Sequence, residues 1–392
     1  MKSLMWFRND LRIDDNPALQ NACVESNEVH AIYIFSSKQN DLHGEANCKI
    51  EFIINNLKDL DKALSKINIP LTIINSEGFD DNAKLILKLI QERSLQKVYF
   101  NNQFGNDEQK RDKLVISLLN RNNIEFSSYE EKVVFQPGTI RTGEDKPYSV
   151  FTPFKKKWVE NFNLDLLDIE FKYLAKKKNL IASNTAKFDF NFIRNHSVDM
   201  SIWPSGEVNA IDRLKSYLEK NILKYSKDRN DPIIDGTSRL SPYLANGIIS
   251  PKRCILEALK INNFELDTGE KGITKWIDEI IWREFYKNIM YCFPKVSQNK
   301  PFQDYTNKIK WRYEKSELDD WKNGNTGFPI IDSAMRQLKF EGWMHNRLRM
   351  VVAMFFTKNM LHDWRIGEEF FMQNLIDGDF SSNNGGWQWS SS

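Results

Sequence analysis

Apolar residues along the first 130 positions come in two rhythms. Short continuous runs, Leu4–Phe7, Ala31–Phe35, Leu71–Asn75 and Val98–Asn101, read as strands buried on both faces. Between them, Lys49–Ile67, Asp80–Arg93 and Asp107–Asn122 carry apolar residues at helical spacing. Strand–helix alternation predicts an α/β unit over residues 1–130, with a parallel sheet covered on both faces.

Residues 131–203 lose both rhythms. Gln136-Pro137-Gly138, Gly143 and Pro147 are turn signals, and Lys155–Lys157 and Lys176–Lys178 are basic runs. A long connection with little regular structure is expected, either functional or laid along a domain seam. From 204 to 392 the pattern is nearly all helical. Helices are expected over Glu207–Leu223, Pro251–Ile261, Gly272–Cys292, Ile309–Lys322, Pro329–Phe340, Asn346–Met360 and Trp364–Leu375. Ser241-Pro242 and Ser250-Pro251 each read as an N-cap followed by Pro at the first helical position, with Gly247 stopping the first of these helices.

Composition narrows the class. Hydrophobic residues at 41% and charged residues at 28% are ordinary for a globular protein. Cys23, Cys48, Cys254 and Cys292 lie far apart, so neither a zinc site nor a redox motif is expected, and no metal is assigned. The apolar run Val351–Phe356 is too short to span a membrane. Arg8, Asp10 and Arg12 interrupt any signal-peptide core, so a soluble cytoplasmic protein is the expectation. The net charge of +2 conceals an asymmetry of −3 over residues 1–150 and +5 over 151–392, which makes the helical part the candidate for a polyanion. Eight of 11 tryptophans fall between Trp276 and Trp389. They suit a large core, a stacking surface or an electron relay.

Four stretches carry chemistry. Thr237-Ser238-Arg239-Leu240-Ser241 gathers hydroxyls and a guanidinium before a short helix, which suits a phosphate as well as plain capping. Glu279, Trp282, Arg283 and Tyr286 share one helix face, a polar stackable surface or a surface ion pair beside a core ring. His345-Asn346-Arg347-Leu348-Arg349-Met350 offers an amide, two guanidiniums and a thioether; two close arginines suit phosphates. Asp377-Gly378-Asp379 and Asn383-Asn384-Gly385-Gly386-Trp387-Gln388-Trp389 are expected to form one loop after the last helix. No GxGxxG or GxxxxGK[ST] follows any strand, which removes the common dinucleotide and P-loop readings.

In this order and spacing, together with Trp6-Phe7-Arg8-Asn9-Asp10-Leu11-Arg12 and Asp15-Asn16-Pro17-Ala18-Leu19, these segments resemble the DNA photolyase/cryptochrome family along the whole chain. Within it the chain most resembles class I cyclobutane pyrimidine dimer photolyases. The resemblance implies a Rossmann-like α/β domain followed by an all-helical domain that holds FAD. It implies flavin contacts at Tyr225, Thr237, Ser238, Arg239, Leu240, Ser241, Trp276, Arg283, Asn346, Arg349, Asp377, Gly378 and Asp379, with Asn383 beside flavin N5. Photolyases have Asn at that position, whereas plant cryptochromes carry Asp. A flipped-out dimer would meet Glu279, Trp282, Asn346, Met350 and Trp389, with Arg229 and Arg347 on phosphates. Excited, fully reduced FADH⁻ would donate an electron to the dimer and recover it after the ring bonds split. Trp387, Trp364 and Trp311 match the relay that photoreduces the flavin.

Two features depart from the pattern. Glu108 matches an acidic residue that contacts a folate antenna, but Asp107 stands where that pattern has Asn, and Gln298 where it has Lys. The antenna type is therefore left open. The chain also ends at Trp389-Ser390-Ser391-Ser392, where family members continue with further helices, so a truncated chain with an open flavin pocket is expected. A DNA-repairing monomer is the leading expectation. A cryptochrome-type blue-light receptor, an inactive truncated photolyase and a flavin-free nucleic-acid-binding protein are the alternatives.

Overall fold

A computed structural model describes residues 1–167, 177, 182–190 and 195–391. Of the two lysine runs, Lys176 and Lys178 lie outside the described residues.

Five strands, β1 (Lys2–Phe7), β2 (Glu28–Phe35), β3 (Leu71–Asn75), β4 (Lys97–Asn101) and β5 (Glu125–Tyr129), form one parallel sheet in the order β3-β2-β1-β4-β5. Helices α1 (Pro17–Glu25), α2 (Ser37–Leu42), α3 (Asn47–Lys66), α4 (Asn82–Arg93) and α5 (Asn106–Arg121) connect them. In β1, Leu4 and Trp6 pack into the cluster with α4 and α5, while Met5 and Phe7 pack into the cluster with α1, α3 and the helical part. The period of two explains this split. All four are essentially fully buried, worth about 1.5–3 kcal/mol each. The predicted strands are all present. β5 lies outside the sequence expectation, because EFSSY is a half-exposed edge strand without an apolar run.

The expectation of an irregular 131–203 segment is corrected by α6 (Phe151–Asn161), which buries Phe154 and Trp158. Pro153 disguises the helix, yet proline is tolerated in a first turn. Lys155 pairs with Asp278 at 2.5 Å and Lys157 with Glu160 at 3.2 Å, so this basic run has partners within the fold.

The remaining helices are α7 (Glu207–Lys220), α8 (Tyr225–Asp228), α9 (Ser241–Ala245), α10 (Pro251–Ile261), α11 (Lys271–Cys292), α12 (Lys315–Asn323), α13 (Pro329–Glu341), α14 (Asn346–Met354), α15 (Trp364–Met372) and α16 (Phe380–Ser391). The single predicted helix Asn346–Met360 is split, because Phe355–Asn359 takes a wider π-helical turn. The expected loop after the last helix is instead α16, despite Gly385-Gly386. Asp379 caps it, accepting from Ser382 N at 3.0 Å. Ser250 caps α10 as predicted, at 2.9 Å from Arg253 N. Ser241 does not cap α9: its Oγ accepts from Trp343 Nε1 at 3.1 Å.

The α/β and helical parts meet without an intervening gap at Gly247. Its φ is +64°, and a Cβ there would stand 2.0 Å from Asn9 O. Arg12 donates to Gly247 O at 2.9 Å and pairs with Glu131 at 2.7 Å, both side chains buried. No described helix is long and apolar enough to cross a membrane.

Candidate functional site

The helical part gathers the predicted residues into three neighbouring groups. The first surrounds Asp377 and Asp379. Arg349 Nη2 pairs with Asp377 Oδ2 at 2.7 Å, and Arg349 Nε donates to Met344 O at 2.9 Å. Asp377 Oδ1 is buried without a partner among the described residues. A buried, unsatisfied carboxylate oxygen is costly and marks a place where a donor belongs. Asp379 differs: Lys287 Nζ holds Oδ2 at 2.7 Å, and Ser381, Ser382 N and Ser382 Oγ converge on Oδ1. Although burial opposes ionisation, the neighbouring Lys287 and Arg283 hold this carboxyl well below its usual range. Asp379 is therefore held as an ionised cap, and its side chain is already saturated. Gly378 O accepts from Lys49 Nζ of α3 at 2.7 Å.

Asn383, in the first turn of α16, donates from Nδ2 to Glu368 O at 2.9 Å and Glu368 Oε1 at 3.0 Å. Burial raises the Glu368 carboxyl to about 7, against the pull of the Asn383 amide.

The second group is the Thr237–Ser241 turn. Thr237 and Ser238 are half-buried, and their hydroxyls have no hydrogen-bond partner among the described residues. Arg239 adopts a left-handed φ of +48°. Its guanidinium pairs with Glu341 at 2.9 Å and Asp235 at 3.2 Å and lies 4.8 Å over Trp343. α9 has only five residues, so the helix-dipole part of the phosphate argument weakens, while the free hydroxyls remain. Leu240 is buried. Tyr225 and Trp276 are buried and both pack against Tyr217, at ring distances of 6.3 and 5.5 Å. The Tyr217 hydroxyl is another buried polar atom without a partner, and sequence reasoning missed it. Arg283 faces elsewhere than expected: it donates to Lys132 O at 2.6 Å and Leu244 O at 3.2 Å, tying α11 to the connecting segment and α9.

The third group lies along α11 and α14. Glu279 does not pair with its helix neighbour Arg283 but with Arg229, at 2.5 Å. Trp282 stacks on Phe151 of α6, with centroids 3.7 Å apart and planes 10° apart. Arg347 donates to Asn230 Oδ1 at 3.1 and 2.9 Å and reaches Met350 Sδ at 3.6 Å. Asn346 is exposed at the start of α14. Glu279, Arg229, Asn230, Arg347 and Met350 thus form one chain of contacts between α11 and α14.

α16 separates its two tryptophans. Trp387 is buried, with its ring 6.2 Å from Trp321, 5.8 Å from Phe356 and 5.0 Å from Phe371; Trp389 is 55% exposed. Residues two apart on a helix cannot share a face. Trp364 is buried in the same cluster, and Trp311 packs half-buried against it. A bridge between Arg312 and His362 brings the Trp311 segment beside the turn that precedes Trp364. Trp321 is fully buried, with Nε1 unpartnered, and stands outside the predicted residues. Its only sequence signal is membership of the tryptophan-rich region.

A cleft of about 610 Å³ lies between the carboxyl ends of β1 and β4, where the strand order reverses and α/β ligands commonly bind, and the first group, whose Lys287, Gly378 and Asp379 help to line it. Asn9, Gln103, Asp107, Glu108, Lys132 and Gly378 are among its lining residues. Asp107 takes up His43 at 3.4 Å and Lys110 at 3.1 Å, and Glu108 folds back against Gly105. Gln298 is exposed. Burial lowers the Lys132 ammonium to about 7.

The comparisons cover the whole chain. A family profile described as DNA photolyase matches residues 3–172, and one described as the FAD binding domain of DNA photolyase matches residues 276–392. The chain is 38% identical to the deoxyribodipyrimidine photo-lyase of Buchnera aphidicola subsp. Acyrthosiphon pisum, over 100% of this chain and 80% of that protein. It is 36% identical to the protein of the same name from Escherichia coli, over 99% and 81%. The crystal structure of a class III photolyase from Agrobacterium tumefaciens superposes with a TM-score of 0.88 at 29% identity, over 100% of this chain and 80% of that one. With a parallel α/β sheet leading into this helical assembly, and relatives matched along the whole of this chain, the chain belongs to the DNA photolyase family.

Proposed function

We propose that this protein repairs cyclobutane pyrimidine dimers in DNA, using light absorbed by a bound FAD. The observation that carries the reading is the Asn383–Glu368 pair, taken with the Arg349–Asp377 pair. An amide, not a carboxylate, stands at the position implied to face flavin N5, and its Oδ1 has no hydrogen-bond partner among the described residues.

The residues fit FAD. Asp377 Oδ1 is a buried acceptor in need of a donor, and the Thr237 and Ser238 hydroxyls are available for a phosphate. The saturated Asp379 carboxylate would leave its backbone as the contact. Bound FAD would supply light absorption and reversible one-electron donation. Arg349 would hold Asp377 in place. Asn383 would present its carbonyl oxygen, its amide being fixed by Glu368. Trp282, held flat by Phe151, would stack on the extruded bases, and Glu279 and Asn346 would read their edges. Met350 would pack beside them, Trp389 would offer a second ring, and Arg229 and Arg347 would meet phosphates. Trp387, Trp364 and Trp311 would pass an electron inward from the surface. The cleft containing Asp107 and Glu108 would take an antenna chromophore. Residues 1–130, 131–203 and 204–392 would act as antenna domain, connection and catalytic domain.

The experiment is light-dependent loss of a thymine dimer from a short oligonucleotide by flavin-loaded protein. Repair under blue light and none in darkness is the expected result. Flavin photoreduction without repair would instead favour a cryptochrome-type receptor, and a protein that retains no flavin would overturn the reading.

A further inference from the structure

Arg229 and Asn230 follow α8 and bind the two walls of the third group. Arg229 Nη1 lies 2.5 Å from Glu279 Oε1 on α11, and its guanidinium packs 5.5 Å over the Tyr225 ring. Asn230 Oδ1 takes both Nε and Nη2 of Arg347 on α14. The Arg229 and Glu279 side chains are only 18% and 26% exposed.

These contacts raise a conflict. On the DNA reading above, Glu279 must accept from a base edge and Arg229 must reach a phosphate, yet here each neutralises the other. An ion pair this close and this little exposed is not given up without a replacement partner for each group. A duplex without a flipped base offers a phosphate to Arg229 but nothing to Glu279, and it leaves a carboxylate facing a polyanion. A flipped lesion offers both at once: a base-edge N–H for Glu279 and the flanking phosphate for Arg229.

We propose that Arg229 exchanges partners, held by Glu279 in the free protein and released to the phosphate backbone only when a flipped base occupies Glu279. Glu279 thereby restrains binding to undamaged DNA, in addition to reading the lesion. The inference rests on the proposed DNA-repair function, and its test separates the two.

The test is a double-mutant cycle of Glu279→Gln and Arg229→Gln, read as affinity for undamaged and dimer-containing duplexes over a salt series, with circular dichroism and thermal melting to confirm folding. The neutral amide of E279Q no longer holds Arg229 by charge. This variant is expected to bind undamaged duplex about three- to tenfold more tightly and to steepen its salt dependence by about one phosphate contact, a slope change near −0.9. Selectivity for the dimer should fall correspondingly. R229Q should weaken both duplexes, and adding E279Q to R229Q should return almost none of the gain. Arg229→Lys, which keeps the charge, should retain most of the affinity.

An E279Q protein with unchanged undamaged-DNA affinity and slope would overturn the exchange. So would an equal gain in the R229Q background, because removing a negative charge would then explain everything. If E279Q does not fold, Glu279→Asp shortens the reach to Arg229 while keeping the charge; a smaller gain that again requires Arg229 supports the exchange, and none overturns it. A parent protein that binds neither duplex would sink the DNA reading. A parent that prefers the dimer while E279Q gains nothing would sink only the exchange.

Discussion

The Asn383 side chain donates to both the backbone carbonyl and the carboxyl of Glu368, at 2.9 and 3.0 Å. Residues 15 positions apart on α16 and α15 are thereby fixed to each other in a partly buried setting. The Asn383→Asp variant exchanges this donor for a second carboxylate. Two carboxyls in contact cannot both ionise cheaply. Its melting temperature should fall more steeply than the parent's between pH 5 and 8. A parallel pH dependence in the two proteins would show that the pair is not coupled.

Glu368 itself sets a pH signature. Burial places its folded pKa at about 7, above the unfolded value of 4.5. The native state then keeps a proton that the unfolded chain releases, so this contribution is full below pH 4.5 and is lost as pH rises through 7. Glu368→Gln keeps an acceptor for Asn383 but cannot ionise. It should be more stable than the parent at pH 8, by up to about 3 kcal/mol at 1.36 kcal/mol per pKa unit, and should converge with it near pH 4.5. Glu207 and Glu284 are raised in the same way, so the readout is the difference between parent and variant in urea titrations.

Glu284 accepts from Val134 N at 2.6 Å, Phe135 N at 3.0 Å and Trp158 Nε1 at 2.7 Å. One carboxyl on α11 thus anchors the connecting segment and α6. Glu284→Ala orphans two buried donors and a partly buried one and should destabilise by about 3 kcal/mol or more, from 1–3 kcal/mol per unsatisfied group. Limited proteolysis should then cut between residues 131 and 150 first. Unchanged protection there would mean that the segment is held by its other contacts.

Gly367 lies under the Trp387 indole, where a Cβ would stand 2.2 Å from the ring. Gly367→Ala must displace a buried tryptophan and should cost about 1–3 kcal/mol. Near-ultraviolet circular dichroism should change with it. In flavin-loaded protein, photoreduction should slow as the ring moves. An unaltered spectrum would show that the ring has room to shift.

Arg349 neutralises Asp377, whose side chain is only 2% exposed. Arg349→Ala leaves a buried charge unpaired and should cost about 3–5 kcal/mol. Asp377→Asn should be milder in urea titrations. Because it still offers Oδ1, it should retain much of its FAD affinity by fluorescence titration. Asp377→Ala should lose both. Equal FAD affinity in all three variants would remove Asp377 from the cofactor site.

The α/β architecture was legible because its cause is local. A strand covered on both faces must be continuously apolar, so Leu4–Phe7 and Leu71–Asn75 declare themselves. β5 and α6 did not, since an edge strand needs no apolar run and a proline in a first turn imitates a break. The residue types of the candidate site and their order along the chain, from Tyr225 to Trp389, were also legible in sequence and resemblance. Partner choice was not. Glu279 and Arg283 have ideal helical spacing for an ion pair, yet Glu279 pairs with Arg229, and Arg283 turns to two backbone carbonyls. Asp379 became a helix cap, Trp387 met Trp321, and Asp377 kept an unpaired oxygen. Periodicity reports which face of an element is buried. Which group from a distant segment reaches that face depends on how whole elements pack, and only the tertiary structure decides it.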